Sequence, residues 1–165
     1  MTTDSAYEVL RAHADLHTLD DGEVRLLAEA AETRRVPAGA YVFRESQPRR
    51  VFGVLVRGRI QITKGFQGHP QVLHVLGDGE SYGEGTLLDD YPHSTSGVVT
   101  EEAEVVEVPR DAIARMAREH PRTFGKLVMA AAHVISSRLR LANSLLSGRG
   151  SGYLSGETRT EHDLL

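Results

Sequence analysis

The chain is 165 residues long, 40% hydrophobic and 25% charged, with no cysteine and a formal net charge of -4. That length suits one domain with a real core, and the lack of cysteine excludes disulfides, thiolate chemistry and cysteine-type zinc sites. A stand-alone DNA-binding face needs a basic excess that this chain lacks, and no apolar run approaches the roughly 18 residues that span a bilayer. The first residues, MTTDSAYEVLRAHADL, lack the basic-then-apolar layout of a secretory signal, so a cytoplasmic location is expected.

Residues 1–35 read as N-terminal helices. Val9, Leu10, Leu16, Leu19, Val24, Leu26, Leu27 and Ala30 recur at helical intervals from residue 4 to 35, and Asp20-Asp21-Gly22-Glu23 marks a second helix start. His13 and His17 stand at i, i+4, a spacing that can bind metal. With no third ligand they read as a solvated face, so no metal site is expected.

Residues 36–109 read as short strands broken by turns. Tyr41–Phe43 is one strand, and the apolar run Val51–Val56 is expected to be buried on both faces. Arg57-Gly58 reads as a turn before Arg59–Thr63, residues 65–70 as a hairpin loop, and Gln71–Leu76 as another strand. Segments 97–100 and 104–108 complete the set. Closely spaced strands with glycine turns argue for a barrel or jelly-roll-like sandwich. His69 and His74 flank a hairpin strand without an evident carboxylate companion. The arginines at 34, 35, 49, 50, 57 and 59 read as scattered solvated charges.

Residues 110–146 read as helices again: a short one from Arg110 to His120, then a longer one over 121–146. Phe124, Val128, Ala131, Ile135, Ala142 and Leu145 form a stripe that Leu127, Val134, Leu139 and Leu141 widen. The width predicts packing on the barrel on one side and on a partner helix, in a homodimer, on the other. Residues 147–165 read as a flexible glycine–serine linker or tail.

The stretch 82–95, YGEGTLLDDYPHST, carries the candidate site. Gly83 and Gly85 leave backbone N–H groups open to close approach, and a short helix starting near Gly85 or Thr86 would favour an anion at its N-terminus. No nucleophile–base–acid set stands out, and the adjacent acids Glu101 and Glu102 lack a pocket signal, so catalysis by these residues is not expected.

Helices, glycine-punctuated barrel, short helix and long helix together resemble the cyclic-nucleotide-binding domain of the Crp/Fnr type over roughly residues 7–146. The resemblance is carried by Val36-Pro37-Ala38-Gly39 with Val42-Phe43-Arg44-Glu45, by Val54–Ile60, and by Leu76-Gly77-Asp78-Gly79-Glu80 leading into Tyr82-Gly83-Glu84. It implies an α+β, mainly β, jelly-roll or β-roll barrel with N-terminal helices and a long C-terminal helix. The stretch 82–95 then corresponds to the phosphate-binding cassette. Glu84 stands where the family receives the ribose 2′-hydroxyl, and its alternative role is a capping carboxylate. Ser94 and Thr95 stand where phosphate is contacted. Ser136, Ser137 and Arg138 lie near where polar residues meet the base, with an exposed face or a dimer-seam hydrogen bond as their alternative.

His93 is the departure, because the resemblance implies a phosphate-gripping arginine there. Gly85 replaces a usual aliphatic residue, and Asp89 and Asp90 add negative charge. The ligand-binding set is thus Gly83, Glu84, Gly85, Thr86, His93, Ser94, Thr95, Ser136 and Ser137. The expected ligand is cAMP, another cyclic nucleotide or a different small anion, held weakly or in altered fashion. A degenerate, ligand-free dimerisation module is the alternative, with His93 then a loop histidine bonded to nearby backbone.

The family's transcription regulators carry a helix-turn-helix after the long helix, and residues 147–165 do not resemble one. No DNA contact is expected of these residues, and an effector-domain fragment of such a regulator is a second alternative. Arg159-Thr160-Glu161-His162-Asp163-Leu164-Leu165 resembles the "R-x-E-x-D-L-L" opening of aspartate ammonia-lyases in the aspartase/fumarase superfamily. That resemblance implies a regulatory domain preceding such an enzyme.

Overall fold

The computed structural model describes residues 3–66 and 69–154. Helix α1 (Thr3–Ala12) and helix α2 (Asp21–Ala30) flank a 3-10 turn at Ala14–Leu16. Asp20 and Glu23 close a reciprocal capping box at the start of α2. Six strands follow: β1 (Glu32–Val36), β2 (Tyr41–Phe43), β3 (Val51–Phe66), β4 (His69–Leu76), β5 (Ser81–Tyr82) and β6 (Ser96–Pro109). Helix α3 (Arg110–Glu119) and the long helix α4 (Pro121–Leu154) are the last elements among the described residues.

All strand pairings are antiparallel. The sheet runs β1-β6-β3-β4, with β2 also on β6 and β5 also on β3. The register of β3 against β6 shifts repeatedly between Leu55 and Ile60. Such bulges sharpen the local twist and let long strands bend, as a roll requires.

Two cores result. Phe52 and Val54 of β3, with Val106 and Val108 of β6, pack against Leu10, Leu27, Ile113, Met116 and Leu127 from all four helices. Leu55 and Val105 face the other way, into the roll, with Val36, Ile60, Leu76, Tyr82 and Val99. Neighbours on one strand therefore serve opposite faces, which explains why the run from Val51 is continuously apolar. The antiparallel jelly-roll with N-terminal helices and a C-terminal helix is the fold class that the sequence pattern implies.

Several boundaries differ from the sequence reading. Residues 32–35, read as helix, belong to β1, because Thr33 and Arg34 pair with Val106 and Val105. Arg57-Gly58 is not a hairpin turn: β3 passes through it, and Gly58 takes a φ of 107° at the bulge. The two segments 97–100 and 104–108 are one strand. His13 and His17 do not share a helix face, since α1 ends at Ala12. His13 is buried and His17 exposed. Helix α4 continues to Leu154 rather than yielding to a linker at Ser147, because extending a formed helix needs no new nucleus. The segment 159–165 lies outside the described residues. Among the described residues no helix is long and apolar enough to cross a membrane.

Candidate functional site

A cavity of about 910 Å³ opens between the roll and α4. Its polar end is made by Arg49, Gly83, Glu84, Gly85, His93, Ser94 and Thr95. Its apolar end is made by Ile62, Val72 and Leu73 of the β3–β4 hairpin and by Ile135, Leu141 and Ala142 of α4. Val72 and Leu73 are each more than half exposed, so the hairpin presents an uncovered greasy surface at the mouth. The cavity is therefore polar on the side of the turn and largely apolar on the side of the hairpin and α4.

The polar end is built by short-range constraints. Gly83 ends β5 with a left-handed φ of 72°, and a side chain there would strike the Val51 carbonyl. The chain then makes a 3-10 turn over Glu84–Leu87. Glu84 is 6% exposed. Its Oε1 accepts from Ser81 Oγ at 2.8 Å and from Arg138 Nη1 at 2.9 Å. Arg138 Nη2 also donates to the Ser81 carbonyl at 2.6 Å. The carboxylate on the cavity floor is thus tied directly to α4.

His93 is fixed through its backbone. Its N–H donates to Gln47 O at 2.9 Å and its carbonyl accepts from Ser46 N–H at 2.8 Å. Its ring stacks on Phe43, with centroids 4.4 Å apart and planes 17° from parallel. Burial, reinforced by the nearby Arg49 charge, holds its proton affinity below the ordinary histidine value. His93 therefore offers a neutral imidazole rather than a cation at neutral pH.

Seven of the nine ligand-binding residues expected from the sequence gather around the turn and the loop after it, and six of these line the cavity. Thr86 is the exception: it is buried and its hydroxyl donates to the Val51 carbonyl at 2.8 Å, so it anchors the turn. Ser136 and Ser137 are not among the lining residues. Their hydroxyls accept from Arg140 at 2.7 and 2.8 Å along the outside of the helix. Helix periodicity brings Ile135, Arg138, Leu141 and Ala142 to the cavity instead.

Other corrections concern charge. Arg49 is not a solvated surface charge but a wall of the cavity. Asp89 pairs with it at 2.5 Å, and Asp90 pairs with Arg110, so both loop acids are offset locally. His74 does have a carboxylate companion, Glu80, at 3.0 Å. Arg34 makes a two-pronged pair with the buried Glu107.

The β-roll is closed on one side by a long helix, with a polar turn on its floor. The family model of the cyclic nucleotide-binding domain matches residues 33–120, and the chain belongs to that family. It is 29% identical over 98 residues to human (Homo sapiens) cGMP-dependent protein kinase 2, covering 58% of this chain but 13% of the kinase. It is 23% identical over 141 residues to a CRP-like cAMP-activated global transcriptional regulator of Mycobacterium tuberculosis, covering 85% of this chain and 61% of the regulator. Among solved structures, a cyclic nucleotide-binding domain from Methylobacillus flagellatus KT superposes with a TM-score of 0.77 at 18% identity, covering 99% of this chain and 86% of that one.

Proposed function

We propose that this chain is a sensor domain that takes a cyclic nucleotide, or a related small phosphate ester, into the cavity and reports its presence through α4. The observation that carries this reading is the Arg138–Glu84 pair at 2.9 Å. Glu84 stands where the family receives a ribose hydroxyl, so a ligand that engages it competes with α4 for the same carboxylate. A ligand can shift α4 only by as much as it prefers one arrangement over the other, and this shared carboxylate supplies such a preference.

The apolar end, with Val72, Leu73, Ile135 and Leu141, would cover a base. The neutral His93 forgoes the charged fork of an arginine, and a charge-assisted hydrogen bond contributes roughly 1.5–3 kcal/mol. Binding is therefore expected to be weakened or altered relative to a receptor with arginine there. Calorimetric titration with cAMP and cGMP tests the reading: saturable heat supports it, and no heat at roughly millimolar nucleotide overturns it.

Met129 and Leu139 are 70% and 60% exposed on α4. They support a homodimer through this helix, with the attached protein as the target of regulation. The sequence 159–165 supports an aspartate ammonia-lyase as that target. Light scattering on Leu139→Glu should report a monomer where the parent chain is a dimer. The intact mass of the native protein, with ammonia release from aspartate, tests the attached enzyme.

One observation favours a second reading. Glu84 is already satisfied by Ser81 and Arg138, so the floor is stable without a ligand. A ligand-free dimerisation module would keep the same contacts and show no nucleotide heat.

A further inference from the structure

We propose that Arg49, delivered from the loop between β2 and β3, is the cation that grips the anionic end of the ligand, and that Gly85 and His93 are shaped around it. This inference rests on the reading of the cavity as a phosphate-ester site and names the group that holds the phosphate.

Gly85 supplies the first argument. It is not among the glycines with positive φ, so backbone freedom does not explain the residue. A Cβ added there would collide with Nη1, Cζ and Nε of Arg49 together. Three atoms of one planar group crowd the same point, so the guanidinium lies against the glycine in the space a side chain would fill. The missing aliphatic side chain at 85 is the seat of Arg49.

The second argument is availability. The Arg49 side chain is only 16% exposed, low for a loop arginine, and it shares the cavity wall with Gly83, Ser94 and Thr95. Arg138, the other guanidinium on the wall, lies at Glu84 and the Ser81 carbonyl rather than against Gly85. Among the described residues Arg49 has one carboxylate partner, Asp89, which is 41% exposed. Asp89 can return to water when an anion takes its place, so the exchange strands no buried charge.

His93 supplies the third. A permanent cation there would face Arg49 at close range. A neutral ring stacked on Phe43 avoids that repulsion and floors the anion pocket. The departure at 93 and the departure at 85 then have one cause: the charge has moved to a different loop. The ligand class is a phosphodiester or phosphate anion, which a guanidinium fork recognises in preference to an ammonium point charge.

The test measures cAMP affinity of the full chain by calorimetry for the parent and for Arg49→Gln, Gly85→Ala and His93→Gln, with amide NMR spectra confirming each fold. Arg49→Gln removes the grip and Gly85→Ala evicts it without touching the arginine. Both are expected to weaken binding about tenfold or more, and His93→Gln by less than about threefold. Arg49→Gln binding within about twofold of the parent overturns the inference while leaving the nucleotide site intact. If the parent binds no nucleotide at roughly millimolar concentration, the proposed ligand fails, and inorganic phosphate decides the role of Arg49. Phosphate-induced shifts of the Gly83 and Gly85 amides that vanish in Arg49→Gln uphold it. Equal shifts in both proteins, or none in the parent, overturn it.

Discussion

Two buried glutamates, Glu84 and Glu107, have the same exposure of 6% but are held by different parts of the fold. Glu107 accepts two prongs from Arg34, at 2.7 and 2.9 Å, and the Tyr82 hydroxyl at 2.6 Å. Its partners sit on β1 and β5, and β1 is already registered against β6, with Glu32 opposite Glu107. Glu84 has the same ingredients, a guanidinium and a hydroxyl, but the guanidinium comes from α4. An ion pair between elements that the backbone already joins is a rivet. The same pair between elements joined by side chains alone can be exchanged. Topology, rather than burial or charge, separates the carboxylate locked within the sheet from the one proposed to meet a ligand.

Removing Glu107 is the harshest way to probe this difference. Glu107→Ala strands Tyr82 and Arg34. Breaking a buried pair costs about 3–5 kcal/mol, but the half-exposed Arg34 can rehydrate, so a loss of about 2–3 kcal/mol is expected in urea unfolding. Glu84→Ala should cost about 1 kcal/mol or less, because Arg138 is a third exposed and recovers water. Its signature is faster amide exchange along α4 beyond Ala131, with the sheet unchanged. Equal stability losses and no change on α4 would erase the distinction between the two carboxylates.

Acid offers a subtler separation. His13 is buried, its Nε2 has no hydrogen-bond partner among the described residues, and its proton affinity is lowered, chiefly by desolvation. Asp15 and Glu84 oppose that shift, and Arg138 adds to it. A histidine with a lowered folded pKa binds protons more readily when unfolded. Stability is therefore retained above the ordinary value of 6.5 and lost as pH falls below it. Unfolding midpoints between neutrality and mild acid should fall for the parent and fall less for His13→Asn. Asp89→Asn is the mildest change. It frees Arg49 from its carboxylate and should tighten phosphate-ester binding by about two- to fivefold in calorimetry.

Most of the roll was legible because its signals are local. Alternation, glycine turns and the apolar run at Val51 follow from the neighbours of each residue, and so do Gly83 and Glu84 on the cavity floor. The extension of β3 through Arg57-Gly58 was not legible, because a glycine at a bulge and a glycine in a turn look alike until the partner strand is known. Residues 32–36 carry only one buried side chain, Val36, and pair entirely through β6. Their sequence holds no strong strand signal of its own. Arg49 was missed for a similar reason. It meets Gly85 only through the tertiary fold, and a lone arginine in a loop resembles any solvated charge. On α4, Ser136 and Ser137 looked polar enough to serve a ligand, but the phase of the helix turns them away and brings Arg138 inward.

The anchoring of α4 has a mechanical consequence. Near its start, Lys126 and Thr123 both bind the Glu23 carboxylate that caps α2, at 2.5 and 3.1 Å. The helix is thus clamped at one end, touched by the cavity floor at Arg138, and extends onward to Leu154. At 1.5 Å per residue, Arg138 lies about 18 Å from the clamp and Leu154 about 42 Å. A rigid rod pivoting at Glu23 magnifies a sideways movement at Arg138 by a little over two at its tip. A displacement of about one ångström, the scale of exchanging one hydrogen-bond partner for another, becomes more than two at the far end of the helix.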